Sequence, residues 1–241
     1  MKILKGKIAI ITGGGSGIGE GTARMLTAQG VSVMICGRRE AALQRVAGQI
    51  TDQGGICVYA QADVSLEADV DRVVNQTLER FEMVDILVNN AAISLGSSLH
   101  DHSIEEWDRI MAINLRGPFL MTRAVLPIMR QNRRGHIINI SSESGIEHYA
   151  GDAAYGVSKH ALNDLTEYTQ IENQEFGIKV NAICPGMVVT EMSENSPGLN
   201  HDKCLYPDDV AEVVVWLLTR RQNIKIGTPI LFQTMENPWE S

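Results

Sequence analysis

Seven short apolar runs rich in β-branched residues recur along the chain, at Ile8–Ile11, Val31–Cys36, Ile56–Ala60, Ile86–Val88, His136–Ile140, Lys179–Ile183 and Pro229–Phe232. Runs of this length, apolar at nearly every position, predict strands buried on both faces. Between them, residues 18–29, 40–52, 66–81, 104–131, 153–176 and 207–220 carry apolar side chains at helical spacing, with Ser65, Ser103 and Pro207 as start signals. Strand and helix alternate, so the strands must lie parallel and the helices must cover both faces. Right-handed crossovers then predict a doubly wound parallel sheet in a three-layer α/β/α sandwich, with ligands bound beyond the C-terminal strand ends. No repeat, low-complexity tract or linker interrupts the rhythm, and 44% hydrophobic residues suffice for one core, so a single domain over residues 1–241 is expected. Only Ser193–Cys204, rich in Ser, Asn, Gly and Pro, reads as a loop, which makes the stretch near 187–206 a candidate lid.

The first predicted strand runs straight into Thr12-Gly13-Gly14-Gly15-Ser16-Gly17-Ile18-Gly19 and then into a helix. Glycines let a backbone turn tightly and approach a pyrophosphate, and the helix start presents free N–H groups and the positive end of its dipole. The spacing, G-x-x-x-G-x-G, differs from the G-x-G-x-x-G dinucleotide fingerprint, and a plain tight turn would also use glycine. At the end of the second strand, an acidic residue would bind an adenosine ribose and repel a 2′-phosphate. Here Gly37-Arg38-Arg39 stands instead, which favours NADP(H) over NAD(H), with Arg38 as the phosphate ligand; a solvated basic loop is the alternative.

Tyr155 and Lys159 are four apart in a helical segment and share one face, as many amphipathic pairs do. A cation beside a phenol favours its ionised form, bringing a group with an ordinary pKa of about 10 toward use in proton transfer. Ser141 and Ser142 close the strand that ends at Ile140, where a hydroxyl projects into the crevice and can hold a substrate oxygen.

Taken together, the Thr12–Gly19 turn, Asp63-Val64, Asn89-Asn90-Ala91-Ala92, Asn114, Ser142, the Tyr155/Lys159 pair and Pro185-Gly186 followed by Thr190 resemble the classical short-chain dehydrogenase/reductase family in order and spacing, over nearly the whole chain. The resemblance implies a Rossmann-type domain that moves a hydride between the nicotinamide cofactor and a small carbonyl or secondary alcohol. It implies Tyr155 as general acid or base, Lys159 to lower its pKa and bind the nicotinamide ribose, Ser142 to polarise the substrate oxygen, and Asn114 to position a proton-relaying water. In the cofactor site it implies the turn (Gly13, Ser16, Gly17, Ile18, Gly19), Asp63 and Val64 at the adenine, and Asn90 at the adenosine half. Pro185, Gly186, Val188 and Thr190 would then lie at the nicotinamide. A homo-oligomer, tetramer or dimer, assembled through 104–131 and 153–176 is also implied. Two departures stand out: Ala92 replaces the usual glycine, a small change, and the C-terminus lacks the Asp-Gly-Gly ending of many ketoacyl-carrier-protein reductases.

Charge and cysteine content narrow the partners. A net charge of -8 and a pI near 5.3 argue against nucleic acid, whose affinity is built on clustered Lys and Arg. Arg133-Arg134 and Arg220-Arg221 each follow a helical stretch, where they would complement its C-terminus. Cys36, Cys57, Cys184 and Cys204 are scattered without ligand spacing, so neither a metal nor a disulfide is expected. Without an apolar run of spanning length, a cytoplasmic location is expected and no membrane contact. Around the substrate, Ser94, Leu95, Glu143, Glu147, His148, Met187 and Met192 are candidates, each also readable as loop or packing. Trp239 reads either as a subunit contact or as cover for its own core.

Overall fold

The computed structural model describes residues 4–194 and 196–239; Asn195 of the predicted loop and the chain's first three and last two residues lie outside the described residues. All seven predicted strands are present: β1 (Ile8–Thr12), β2 (Ser32–Gly37), β3 (Ile56–Gln61), β4 (Ile86–Asn89), β5 (Gly135–Ile140), β6 (Ile178–Pro185) and β7 (Ile230–Phe232). They form one parallel sheet in the order β3-β2-β1-β4-β5-β6-β7. The order reverses between β1 and β4, and a crevice opens there beyond the strand ends.

The helices are α1 (Gly17–Ala28), α2 (Glu40–Asp52), α3 (Glu67–Phe81), α4 (Ile104–Met111), α5 (Gly117–Gln131), α6 (Ala153–Asn173) and α7 (Pro207–Leu218). Because side chains alternate across a strand, each apolar run feeds two cores. Ala9, Ile11, Val33, Ile35 and Val88 join Leu26, Val46, Val210 and Val214 beneath α1, α2 and α7. Ile10, Met34, Leu87 and Ile137 join Val70, Val73, Leu120 and Val125 beneath α3 and α5. The predicted three-layer sandwich is therefore the observed one.

Differences arise where local signals competed. The predicted helix 104–131 is continuous, but Ala112–Arg116 winds as a π turn between α4 and α5. Ser103 caps α4 in a capping box with Glu106, whereas Ser65 does not cap α3; its hydroxyl donates to Asp63 Oδ1 at 2.7 Å, and Leu66 takes the cap position. Arg220 Nε donates to the Trp216 carbonyl at 3.0 Å, as expected at a helix end. Arg134 does something else: it joins Lys7 in pairing with buried Asp85, each at 3.0 Å, at the N-terminal ends of the central strands, away from the crevice. No helix among the described residues is long and apolar enough to cross a membrane.

Candidate active site

The C-terminal strand ends open into a cleft of about 1060 Å³. Every cofactor-site residue read from the sequence lines it except Gly19, which lies one layer behind. The glycine turn is built for close approach. Gly13 (φ +67) and Gly17 (φ +53) occupy left-handed backbone, and a Cβ on Gly13 would stand 2.8 Å from Asn90 Nδ2. Asn90 holds this turn from the far side, its Nδ2 donating to the Thr12 and Gly13 carbonyls at 2.9 and 3.2 Å. Thr12 Oγ1 in turn accepts from the Asn90 and Ala91 N–H groups, both at 3.0 Å. Ser16 makes no side-chain cap on α1, so the first N–H groups of that helix stay open toward the cleft. Uncapped donors above a glycine cradle fit the pyrophosphate of a dinucleotide.

Gly19 tests the fit. A Cβ there would collide with the Gly13 carbonyl and stand 2.6 Å from Asn90 Nδ2. Gly19→Ala is expected to displace the turn and weaken dinucleotide binding by about tenfold, roughly 1.4 kcal/mol. A fluorescence titration checks this, and wild-type affinity in the variant would show that the turn does not set the site.

Where the cleft passes the end of β3, Asp63 is fixed by its own neighbours, with Oδ1 accepting from Ser65 N and Oγ at 2.9 and 2.7 Å. Val64 is buried against Gly117, where a Cβ would meet its Cγ2 at 2.8 Å. Arg38 is exposed, and its guanidinium has no hydrogen bond or ion pair among the described residues. Arg39 beside it is engaged, donating to Ser16 Oγ at 2.9 Å and pairing with Glu191 at 2.6 Å.

The inner end gathers Ser142, Tyr155 and Lys159. The two serines after β5 part ways. Ser141 is buried and donates to the Lys159 carbonyl at 3.2 Å, while Ser142 faces the phenol and favours its ionised form. Lys159 is 2% exposed, with Nζ 2.9 Å from the Ile140 carbonyl and 5.4 Å from the Tyr155 ring centroid. Burial brings its ammonium down to about 8.

Lys159 is not among the groups that act most strongly on the phenol in this structure. Burial pushes Tyr155 up to about 12, the Ser142 hydrogen bond opposes it, and Asp152, Cys184 and Glu143 raise it further. One of the three ammonium hydrogens goes to the Ile140 carbonyl, and desolvation is the largest influence on the phenol.

Asn114 is not on the cleft wall. Fully buried in the π turn, its amide accepts from Ile93 N and donates to Ile93 O, both at 2.9 Å, and donates to Ser158 Oγ at 3.1 Å. Ser158, whose Oγ donates to the Tyr155 carbonyl at 2.6 Å, connects the π turn to the helix bearing the phenol. No motif drew attention to Ser158, although it stands three residues after Tyr155 on the buried side of α6.

On the substrate side, Glu143 is half-buried in the cleft, not solvated, and its carboxyl is held above the usual range by burial and then by Glu147. Tyr149 lines the opening, its hydroxyl donating to Glu147 at 2.9 Å, and His148 stacks near His160 at 4.9 Å. The stretch near 187–206 is partly ordered: Val188 bridges Leu205, and Ser193 Oγ donates to the Val188 carbonyl at 2.5 Å. Pro185 ends β6, and Gly186 just beyond it donates its N–H to the Phe232 carbonyl at 2.8 Å. Trp239 also reaches the cleft, because Asn200 N donates to the Pro238 carbonyl and Thr234 Oγ1 to the Lys203 carbonyl. Among the described residues, no group of three or more His, Cys, Asp or Glu side chains could hold a metal ion.

Comparison with known proteins decides the family. The profile of the short chain dehydrogenases matches residues 7–198. The chain belongs to the short-chain dehydrogenase family. An uncharacterized oxidoreductase of Staphylococcus epidermidis is 34% identical over 227 residues, 94% of this chain and 97% of the relative. One from Staphylococcus aureus strain MRSA252 is 35% identical over the same length and shares of each chain. The crystal structure of levodione reductase superposes with a TM-score of 0.83 at 31% identity, covering 89% of this chain and 91% of that one. This short-chain dehydrogenase is accordingly an oxidoreductase of a family that uses a nicotinamide cofactor, NAD(P)(H).

Proposed function

We propose that this chain is an NADP(H)-dependent carbonyl reductase that interconverts a small-molecule ketone or aldehyde with its alcohol. The observation that carries the reading is that Tyr155 and Ser142 stand together on the wall of a cleft whose other end is the glycine cradle. The bound nicotinamide would supply a hydride to the carbonyl carbon, or take one from the alcohol. Ser142 holds the substrate oxygen and Tyr155 donates its proton to it. A phenol held protonated by burial suits reduction; oxidation needs the phenolate and gains as pH rises. Lys159 orients the nicotinamide ribose and links the phenol to solvent. Asn114 can serve a relay water only through its remaining oxygen lone pair or its main chain, because both amide hydrogens are committed to Ile93 and Ser158. Oxidation of NADPH by a panel of ketones and aldehydes tests the reading; no turnover of any carbonyl would overturn it.

The choice of NADP(H) rests on Arg38, the exposed guanidinium at the end of β2 with no partner among the described residues to give up. Arg38→Ala is expected to weaken NADPH binding about tenfold, the worth of one charge-assisted hydrogen bond to phosphate, and to leave NADH binding unchanged. Equal binding of both cofactors before and after would return the NAD(H)-linked alternative.

The domain is read as single over residues 1–241 with its substrate loop near 187–206, and the protein as cytoplasmic and homo-oligomeric, a tetramer or dimer. Exposed Ile104 and Phe119 on α4 and α5, with Tyr168 and Ile171 on α6, support pairing through those helices. Sedimentation equilibrium is expected to give a dimer or tetramer mass; a monomer at micromolar concentration would refute it.

A further inference from the structure

The ion pair between Arg39 and Glu191 crosses the mouth of the cleft and plays no part in the chemistry above. Arg39 leaves the end of β2, Glu191 follows Thr190 on the segment after β6, and Ser16 lies in the glycine turn. One guanidinium nitrogen, Arg39 Nη2, reaches both, at 2.6 Å from Glu191 Oε2 and 2.9 Å from Ser16 Oγ. The same strap is visible in the packing, since a Cβ on Gly17 would meet Thr190 Cγ2 at 3.2 Å. Arg45 is close enough to act on Glu191 as well, although its own ion pair at 2.7 Å is with Glu20. The Arg39 and Glu191 side chains are 61% and 55% exposed, so exchanging partners costs little.

The end of β2 is where a parallel sheet of this kind meets the ribose of a bound adenosine. A 2′-phosphate arriving there is a dianion and competes with Glu191 for the same guanidinium; a 2′-hydroxyl has no such need of Arg39. Glu191 itself lies on the adjoining segment, so its charge repels an added phosphate. We propose that Glu191 is a cofactor-discriminating residue, occupying Arg39 and thereby weakening the binding of 2′-phosphorylated dinucleotides relative to their unphosphorylated counterparts. This rests on the reading that the cleft binds a dinucleotide with its adenosine at β2, and not on which dinucleotide the wild type prefers.

The test is calorimetric titration of the full chain with 2′-phospho-ADP-ribose and with ADP-ribose, ligands that need no turnover. In Glu191→Gln, 2′-phospho-ADP-ribose is expected to bind about fivefold tighter, the upper range for an exposed ion pair, with ADP-ribose unchanged. The gain should shrink as salt is raised from low ionic strength. Glu194→Gln, which removes a carboxylate of the same segment, is expected to leave the ratio of the two affinities at the wild-type value. An unmoved ratio in Glu191→Gln overturns the proposal, as does an equal gain in Glu194→Gln, which would assign the effect to net charge. Binding of neither ligand by the wild type overturns the dinucleotide reading, and the proposal with it.

Discussion

Tyr155→Phe is expected to lower kcat for carbonyl reduction by about 10²–10⁴-fold, the usual worth of a positioned proton donor. NADPH affinity should stay within about twofold, because a group that acts only in the transition state leaves ground-state binding intact. The ring lines the cleft, so phenylalanine keeps its packing and deletes only the oxygen shared with Ser142. Stopped-flow measurement of the single-turnover rate alongside a binding titration separates the two effects. Full turnover in the variant would remove Tyr155 from the chemistry, and parallel loss of binding and rate would make it a binding group.

Lys159→Met carries the other large effect, and its sign follows from burial. The ammonium, ordinarily near 10.5, is brought down to about 8 in the folded protein, so the unfolded chain holds that proton more tightly. Below about 8 both states are protonated and folding carries the full cost of the buried charge. Between about 8 and 10.5 the folded state has released the proton and the unfolded state has not, so stability rises with pH, by about 3 kcal/mol in all. Lys159→Met is expected to abolish this rise and, on the role proposed for Lys159 at the nicotinamide ribose, to lower kcat by at least about tenfold. The lost bond to the Ile140 carbonyl shifts the whole curve without restoring its slope. Urea midpoints for wild type and variant, taken from neutral to alkaline pH, measure the difference. The comparison also removes the contributions of Lys179, which burial lowers, and Tyr155, which burial raises. Parallel curves would mean that Lys159 is not desolvated as its 2% exposure implies.

The strands were legible because each buried run is apolar at nearly every position, and the sheet order because alternating elements with right-handed crossovers leave few topologies. Gly13 and Gly17 were legible for a related reason: positive φ beside a close neighbour admits little else. The energetic balance at Tyr155 was not. Four-residue spacing places Lys159 and the phenol on one helix face, but only in the folded chain does the ammonium turn to the Ile140 carbonyl and burial dominate both groups. Arg39 was equally opaque, since its partner Glu191 is remote in sequence and belongs to the stretch read only as a loop. Trp239, read as a subunit contact or core cover, lines the cleft because hydrogen bonds from residues 200 and 234 fold the tail over it. Ser65 looked like a helix start, yet its hydroxyl had a better acceptor in Asp63 two residues earlier.

The π turn at Ala112–Arg116 amounts to one residue added to an otherwise regular helix. Each residue advances an α-helix by about 100°. Removing one from this turn would therefore let the helix run true while rotating everything before it by that angle. Ser103 through Met111 would then present a different side to α6, and Asn114 would swing away from Ile93 and Ser158. The helix thus carries a deliberate phase error, and the alignment of two stretches of surface, one packing on α6 and one on the sheet, depends on keeping it.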